Sequence, residues 1–152
     1  MTVLLDASLR LDRAQEKTNI SLPFFLPCAA AVLQISVSYA PKTAEDDAAL
    51  ALSQACLQRD VGEYAEEYPP AASFLPLKNL ITLSLDDPNS YRGAAHRQAQ
   101  TQVHRFTPQE SPNGFSAGAM PAGLWRLSLN LHAIVTPFCV CRVCVEMQEA
   151  DE

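Results

Sequence analysis

From Trp125 to His132 the chain alternates without a break, with Trp125, Leu127, Leu129 and Leu131 on one side and Arg126, Ser128, Asn130 and His132 on the other. Extended backbone sends successive side chains to opposite faces, so this run makes a strand with one dry face and one wet face. A helix would scatter the four apolar positions around its axis. The turn Met120-Pro121-Ala122-Gly123 leads into the run. A strand buried on one side needs a second layer to cover it, which points to an antiparallel β-sandwich.

Other segments fit that architecture. In residues 1–12, Ala7, Leu9 and Leu11 alternate with Ser8, Arg10 and Asp12, giving a first strand or two short pieces. Residues 13–18 read as polar loop and 19–25 as a second extended piece. Residues 28–39 form a third, with Ala31, Leu33, Ile35, Val37 and Tyr39 inward against Val32, Gln34, Ser36 and Ser38, and Pro41 ends it. Residues 77–85 have strand length, the Asp86-Asp87-Pro88-Asn89-Ser90 run supplies a turn, and 96–106 make a weaker, Gln-rich strand. Residues 138–147 are expected to return as the hairpin partner of the Trp125 strand. The acidic tail, 148–152, is expected to fray.

Residues 44–60 differ in character. Thr43 is placed to cap a helix, Glu45, Asp46 and Asp47 sit at its positive end, and Ala, Leu and Gln favour its interior. Gly62 weakens any continuation through 63–67, and Pro69-Pro70 stops it. One helix inserted among strands, without βαβ alternation, gives a mainly β chain: an antiparallel sandwich of jelly-roll type with one helical insertion, 1–152 forming a single domain.

With 152 residues, 48% hydrophobic and 18% charged, the chain can build a real core. A formal net charge of -6 and no basic stripe argue against nucleic-acid or anionic-membrane partners. The amino-terminal Met1-Thr2-Val3-Leu4-Leu5-Asp6 lacks the basic flank of an export signal, and no apolar run reaches ~20 residues, so a cytoplasmic location is expected. Five cysteines, an odd number, fit reduced thiols.

Three blocks carry a family resemblance: Tyr91-Arg92-Gly93 after Asp86-Asp87, the Pro/Gly-rich loop over 111–118, and Pro121-Ala122-Gly123-Leu124-Trp125 before the alternating strand. Over residues 35–147 the chain resembles the β-sandwich domain that precedes the catalytic domain in PHP-type metallohydrolases related to carbaryl hydrolase. It departs from the family at Ala94-Ala95-His96, where an aromatic and Ser or Gly are usual, and at Asn130, where glycine is common. The family's metal ligands belong to the following domain. The resemblance therefore implies a non-catalytic accessory or interaction module, one that binds a ligand, pairs with itself or docks a separate hydrolase.

Side chains that carry chemistry are few. In the resemblance Arg92-Gly93 closes a turn, and a guanidinium there can tie loop carbonyls or pair with Asp86 or Asp87. Tyr91, Arg92, Phe115 and Trp125 could together line a concave end of the sandwich, an aromatic floor for a carbohydrate or small organic ligand. His96, His104 and His132 with Asp86 or Asp87 would make a metal site for a small hydrolase, but their spacing matches no known ligand pattern. His132 reads as solvent-facing and His96 and His104 as loop and edge residues. The Asp86 to Asn89 oxygens lack the terminal bidentate acid of a calcium loop and read as a hydrogen-bonded turn. Cys139 and Cys141 share one face of a strand and Cys144 the other, so they read as small apolar residues, not as a zinc knuckle. No cofactor is expected.

Overall fold

A computed structural model describes residues 1–151. The strands are β1 (Thr2–Leu11), β2 (Thr18–Leu26), β3 (Ala30–Ala40), β4 (Leu80–Asp86), β5 (Tyr91–Ala95), β6 (Thr101–Phe106), β7 (Gly123–Ala133) and β8 (Cys139–Glu149), and the helix α1 spans Asp46–Val61. They form two four-stranded sheets, β1-β8-β3-β6 and β2-β7-β4-β5, in which all neighbours are antiparallel.

The core lies between the two sheets and draws on both. Leu33, Ile35, Val37 and Tyr39 of β3 and Cys139, Cys141, Val143 and Val145 of β8 face Trp125, Leu127, Leu129 and Leu131 of β7 and Ile81, Leu83 and Leu85 of β4. Burial of such side chains supplies the main favourable contribution to folding, about 1.5–3 kcal/mol for each large one fully removed from water. The alternation that predicts β7 is therefore met residue by residue. Phe24 stacks on Trp125 with ring centres 6.2 Å apart, tying edge strand β2 to the strand beside it.

Several sequence expectations are corrected. β8 is not the hairpin partner of β7: after a short connection it crosses to the other sheet and lies between β1 and β3. An irregularity between Ala30 and Val32 shifts the register, so Ala30 and Val32 are buried and Ala31 is only half-buried. Arg92-Gly93, which the resemblance implies would close a turn, lies within strand β5, Tyr91–Ala95. Thr43 does not cap α1; it bridges to Lys78, and Glu45 occupies the N-cap without a side-chain hydrogen bond. The tail is ordered further than expected, because β8 runs to Glu149 and the Ala150 N–H donates to the Ala29 carbonyl; Glu152 lies outside the described residues.

Beyond Gly62 the chain makes two short 3-10 segments, Gly62–Glu67 and Ala71–Phe74, before β4. The insertion is latched at its base by buried Asn79. Its amide donates to the Pro41 carbonyl (2.9 Å) and the Thr136 hydroxyl (2.8 Å), and its carbonyl accepts from the Val135 N–H (2.7 Å). One side chain thereby joins the exit of β3, the entry to β4 and the β7–β8 connection, and leaves no buried amide group unmet. No described helix is long and apolar enough to cross a membrane.

Candidate functional site

Four residue groups can carry function, and the fold keeps them apart. The first surrounds Arg92. Its guanidinium is buried and donates to the carbonyls of Ser116 (3.0 Å), Ala119 (3.1 Å) and Gly118 (3.3 Å) and to Asp87 Oδ2 (3.2 Å). Asp87 in turn accepts the N–H groups of Asn89 and Ser90, both at 2.7 Å. Burial pushes the Asp87 carboxyl up, but these hydrogen bonds and Arg92 outweigh it and hold it below the usual carboxylate range. The 86–90 run is thus a hydrogen-bonded turn, as its composition predicts, and Arg92 ties loop carbonyls from within a strand.

The aromatic floor is not assembled around it. Trp125 is 1% exposed, points into the core and donates its indole N–H to the Pro121 carbonyl at 3.0 Å. Phe115 packs edge-to-face on Phe106 and His104, with centroids 5.1 and 5.7 Å away. Tyr91 alone of the four is well exposed. A shallow groove joins it to Asp86, Asp87 and Arg126 on the outer face.

The histidines are likewise dispersed. His104 lies on edge strand β6 but points inward and is fully buried, with Nε2 3.0 Å from Gln102 Oε1 and Nδ1 without a partner. Burial, and to a lesser degree the charge of Arg97, pulls its imidazole down to about 4, so it is neutral at physiological pH. His96 and His132 meet on the outer face of the β2-β7-β4-β5 sheet, ring centres 4.9 Å apart. His132 Nε2 is 2.8 Å from the Thr82 hydroxyl. Among the described residues no three His, Cys, Asp or Glu side chains converge as a metal-binding group, so Asp86 and Asp87 do not join the histidines.

Cys139 and Cys141 are fully buried in the core, and Cys144 looks to the opposite face of β8, as their spacing requires. Burial raises the thiols of both core cysteines, Cys141 to about 12, which keeps them protonated and unreactive.

The fourth group is a cleft that the sequence does not announce. Only Ala49 and Ser53 of α1 are buried, one turn apart; the helix packs mainly on the 3-10 segments Gly62–Glu67 and Ala71–Phe74, and its leucines stay partly open. Beside this contact lies a cavity of about 460 Å³ walled by Leu52, Leu57, Val61, Tyr68, Phe74, Leu77 and Val135, with Arg13, Glu16 and Cys56 on its rim. Three other charges lining it, Arg59, Asp60 and Glu16, are engaged: Arg59 pairs with Asp60 at 2.7 Å, and Glu16 accepts the Ile134 N–H at 3.1 Å. Arg13 differs. Among the described residues its guanidinium meets no carboxylate, and its one polar contact is the Cys56 sulfur at 4.0 Å.

Comparisons with family models, with curated proteins and with solved structures gave no match.

Proposed function

We propose that this chain is a non-catalytic binding module whose ligand site is the cleft beneath α1. The observation that carries this reading is the combination of an apolar cavity of about 460 Å³ with one guanidinium, Arg13, that has no carboxylate partner among the described residues. Cavities of that size hold small organic molecules, and one charged group at the edge can orient an otherwise apolar occupant. The ligand class is a small molecule with an apolar body and an oxygen acceptor at one end, for which medium-chain carboxylates from hexanoate to decanoate are suitable probes. A ligand that binds only the native state raises its stability by about 2.7 kcal/mol at a hundredfold excess over Kd. The test is a thermal-shift titration with those acids. A rise in Tm that Leu57→Trp abolishes by filling the cleft, and that Arg13→Ala weakens, supports the reading. Flat Tm values across the series overturn it, and a response to glycans that depends on Tyr91 would favour the groove of the outer face instead.

The accessory character of the module rests on the three sequence blocks that resemble the domain ahead of the PHP-type hydrolases. The jelly-roll reading is supported by a strand order in which successive strands exchange sheets, β4 and β5 alone being consecutive neighbours in one sheet. A cytoplasmic location is supported by five unpaired thiols.

Self-association is a second reading, favoured by the outer face of β2 and β7. Phe25 and Leu124 are register partners there, 59% and 58% exposed, and the next pairs along include Arg126 opposite Asp86. Among the described residues neither of those charges is in an ion pair. Apolar contacts flanking two unspent opposite charges suit a two-fold contact, in which each Arg126 meets the other copy's Asp86. Sedimentation equilibrium checks this: a dimer that Leu124→Asp dissolves supports it, and a monomer at all concentrations removes it.

A further inference from the structure

We propose that His96 and His132 form a two-imidazole chelate for a divalent transition-metal ion, Cu²⁺ or Ni²⁺, on the outer face of the β2-β7-β4-β5 sheet. The two residues come from different elements, His132 from β7 and His96 from the first position after β5, and the sheet brings them edge to face at 4.9 Å between ring centres and 66° between planes. Both are exposed, so an ion reaches them without any opening of the fold.

The support beneath them argues for a site and not a chance meeting. Thr82 of β4 is 4% exposed, and its hydroxyl lies 2.8 Å from His132 Nε2 while the Asn130 amide donates to the same oxygen at 3.4 Å. In the tautomer whose Nε2–H donates to Thr82, the lone pair of His132 is on Nδ1 and free for a metal ion, and the contact restrains the ring. Metal-binding histidines characteristically spend their second nitrogen in this way. Imidazole suits Cu²⁺, Ni²⁺ and Zn²⁺, and the order of affinities places Cu²⁺ highest. No third side chain of the usual ligand types converges among the described residues, so water fills the remaining positions and the bound ion stays open to exchange.

The experiment is an isothermal titration of Ni²⁺ and Cu²⁺ into the untagged full chain, alongside His96→Ala, His132→Ala and Thr82→Val, with circular dichroism to establish that each variant is folded. The expected result is one ion per chain, an affinity at least tenfold lower in either histidine variant, and about tenfold lower in Thr82→Val, the lower bound for losing an outer-shell partner. Electron paramagnetic resonance of the Cu²⁺ form should show coupling to two imidazole nitrogens. Affinity unchanged in both histidine variants, or binding that disappears only when cysteines are replaced, overturns the proposal.

Discussion

The guanidinium of Arg92 lies 5.5 Å from the centre of the Trp125 ring, so a buried cation stacks on the aromatic anchor of the core while its N–H groups hold the 116–119 loop and Asp87. The sequence suggests these residues as walls of a ligand site. Their geometry spends them on architecture: four of the arginine's five N–H donors are answered by a carbonyl or a carboxylate.

Replacing Arg92 by methionine should therefore destabilise the protein by about 3–5 kcal/mol, because Asp87 would be left as a buried charge without its partner. Arg92→Lys should recover only part of the loss, since an ammonium cannot span three carbonyls from one planar fork. Urea denaturation of the two variants checks both magnitude and order.

His104 should make the fold acid-sensitive. Its ordinary value of 6.5 falls to about 4 in the folded chain, so between those limits the unfolded chain binds the extra proton. Its contribution to stability is intact above pH 6.5, and is lost progressively as pH falls toward 4, amounting to about 3 kcal/mol at about 1.4 kcal/mol per unit. His104→Leu should flatten that part of a stability-against-pH curve, while a slope unchanged in the variant would assign the sensitivity elsewhere.

Gly93 has φ of +123°, and a Cβ built on it would overlap the Gly114 carbonyl oxygen where the 111–118 loop crosses β5. Gly93→Ala should cost about 3 kcal/mol, combining a backbone region closed to L side chains with a backbone clash. Gly62→Ala provides the contrast: its φ is +53° but nothing stands within 4 Å, so the cost there is the smaller, conformational part alone. Thermal unfolding of the pair separates crowding from strain.

Thiol labelling should divide the five cysteines. Cys28, Cys56 and Cys144 are partly exposed and should react with a neutral alkylating reagent in the native protein, whereas Cys139 and Cys141 should react only on unfolding. Cys141→Ser should destabilise by about 2 kcal/mol through burial of a hydroxyl in an apolar setting, and more than Cys141→Ala. Mass spectrometry after timed labelling gives the assignment.

The facing of β7, β3 and β8 was legible because period two assigns a side to each residue, and Trp125, Leu127, Ile35 and Val143 all lie where alternation puts them. Pairing was less legible. The short link between Ala133 and Cys139 resembles a hairpin loop, and nothing local reveals that it passes from one sheet to the other. β5 escaped notice because Arg92-Gly93 interrupts any β-branched run, and the arginine's burial depends on carbonyls more than twenty residues away. In β6 the inward set is Gln102, His104 and Phe106, so polarity gives the wrong side and only Phe106 carried the signal. The cleft was invisible for a similar reason, since it is made by the distance of α1 from segments separated from it in sequence.

The position of β8 has a consequence for how the chain is made. Because Cys139–Glu149 lies between β1 and β3, the first sheet has a gap at its centre until the last described strand has left the ribosome. β1 then has no neighbour within its own sheet, and the exposed edges of β1 and β3 are open templates for any passing strand. The gap between β1 and β3 therefore closes only when β8 is added, and loss of even the final dozen described residues would leave a chain with two unfilled edges where the folded molecule has none between them.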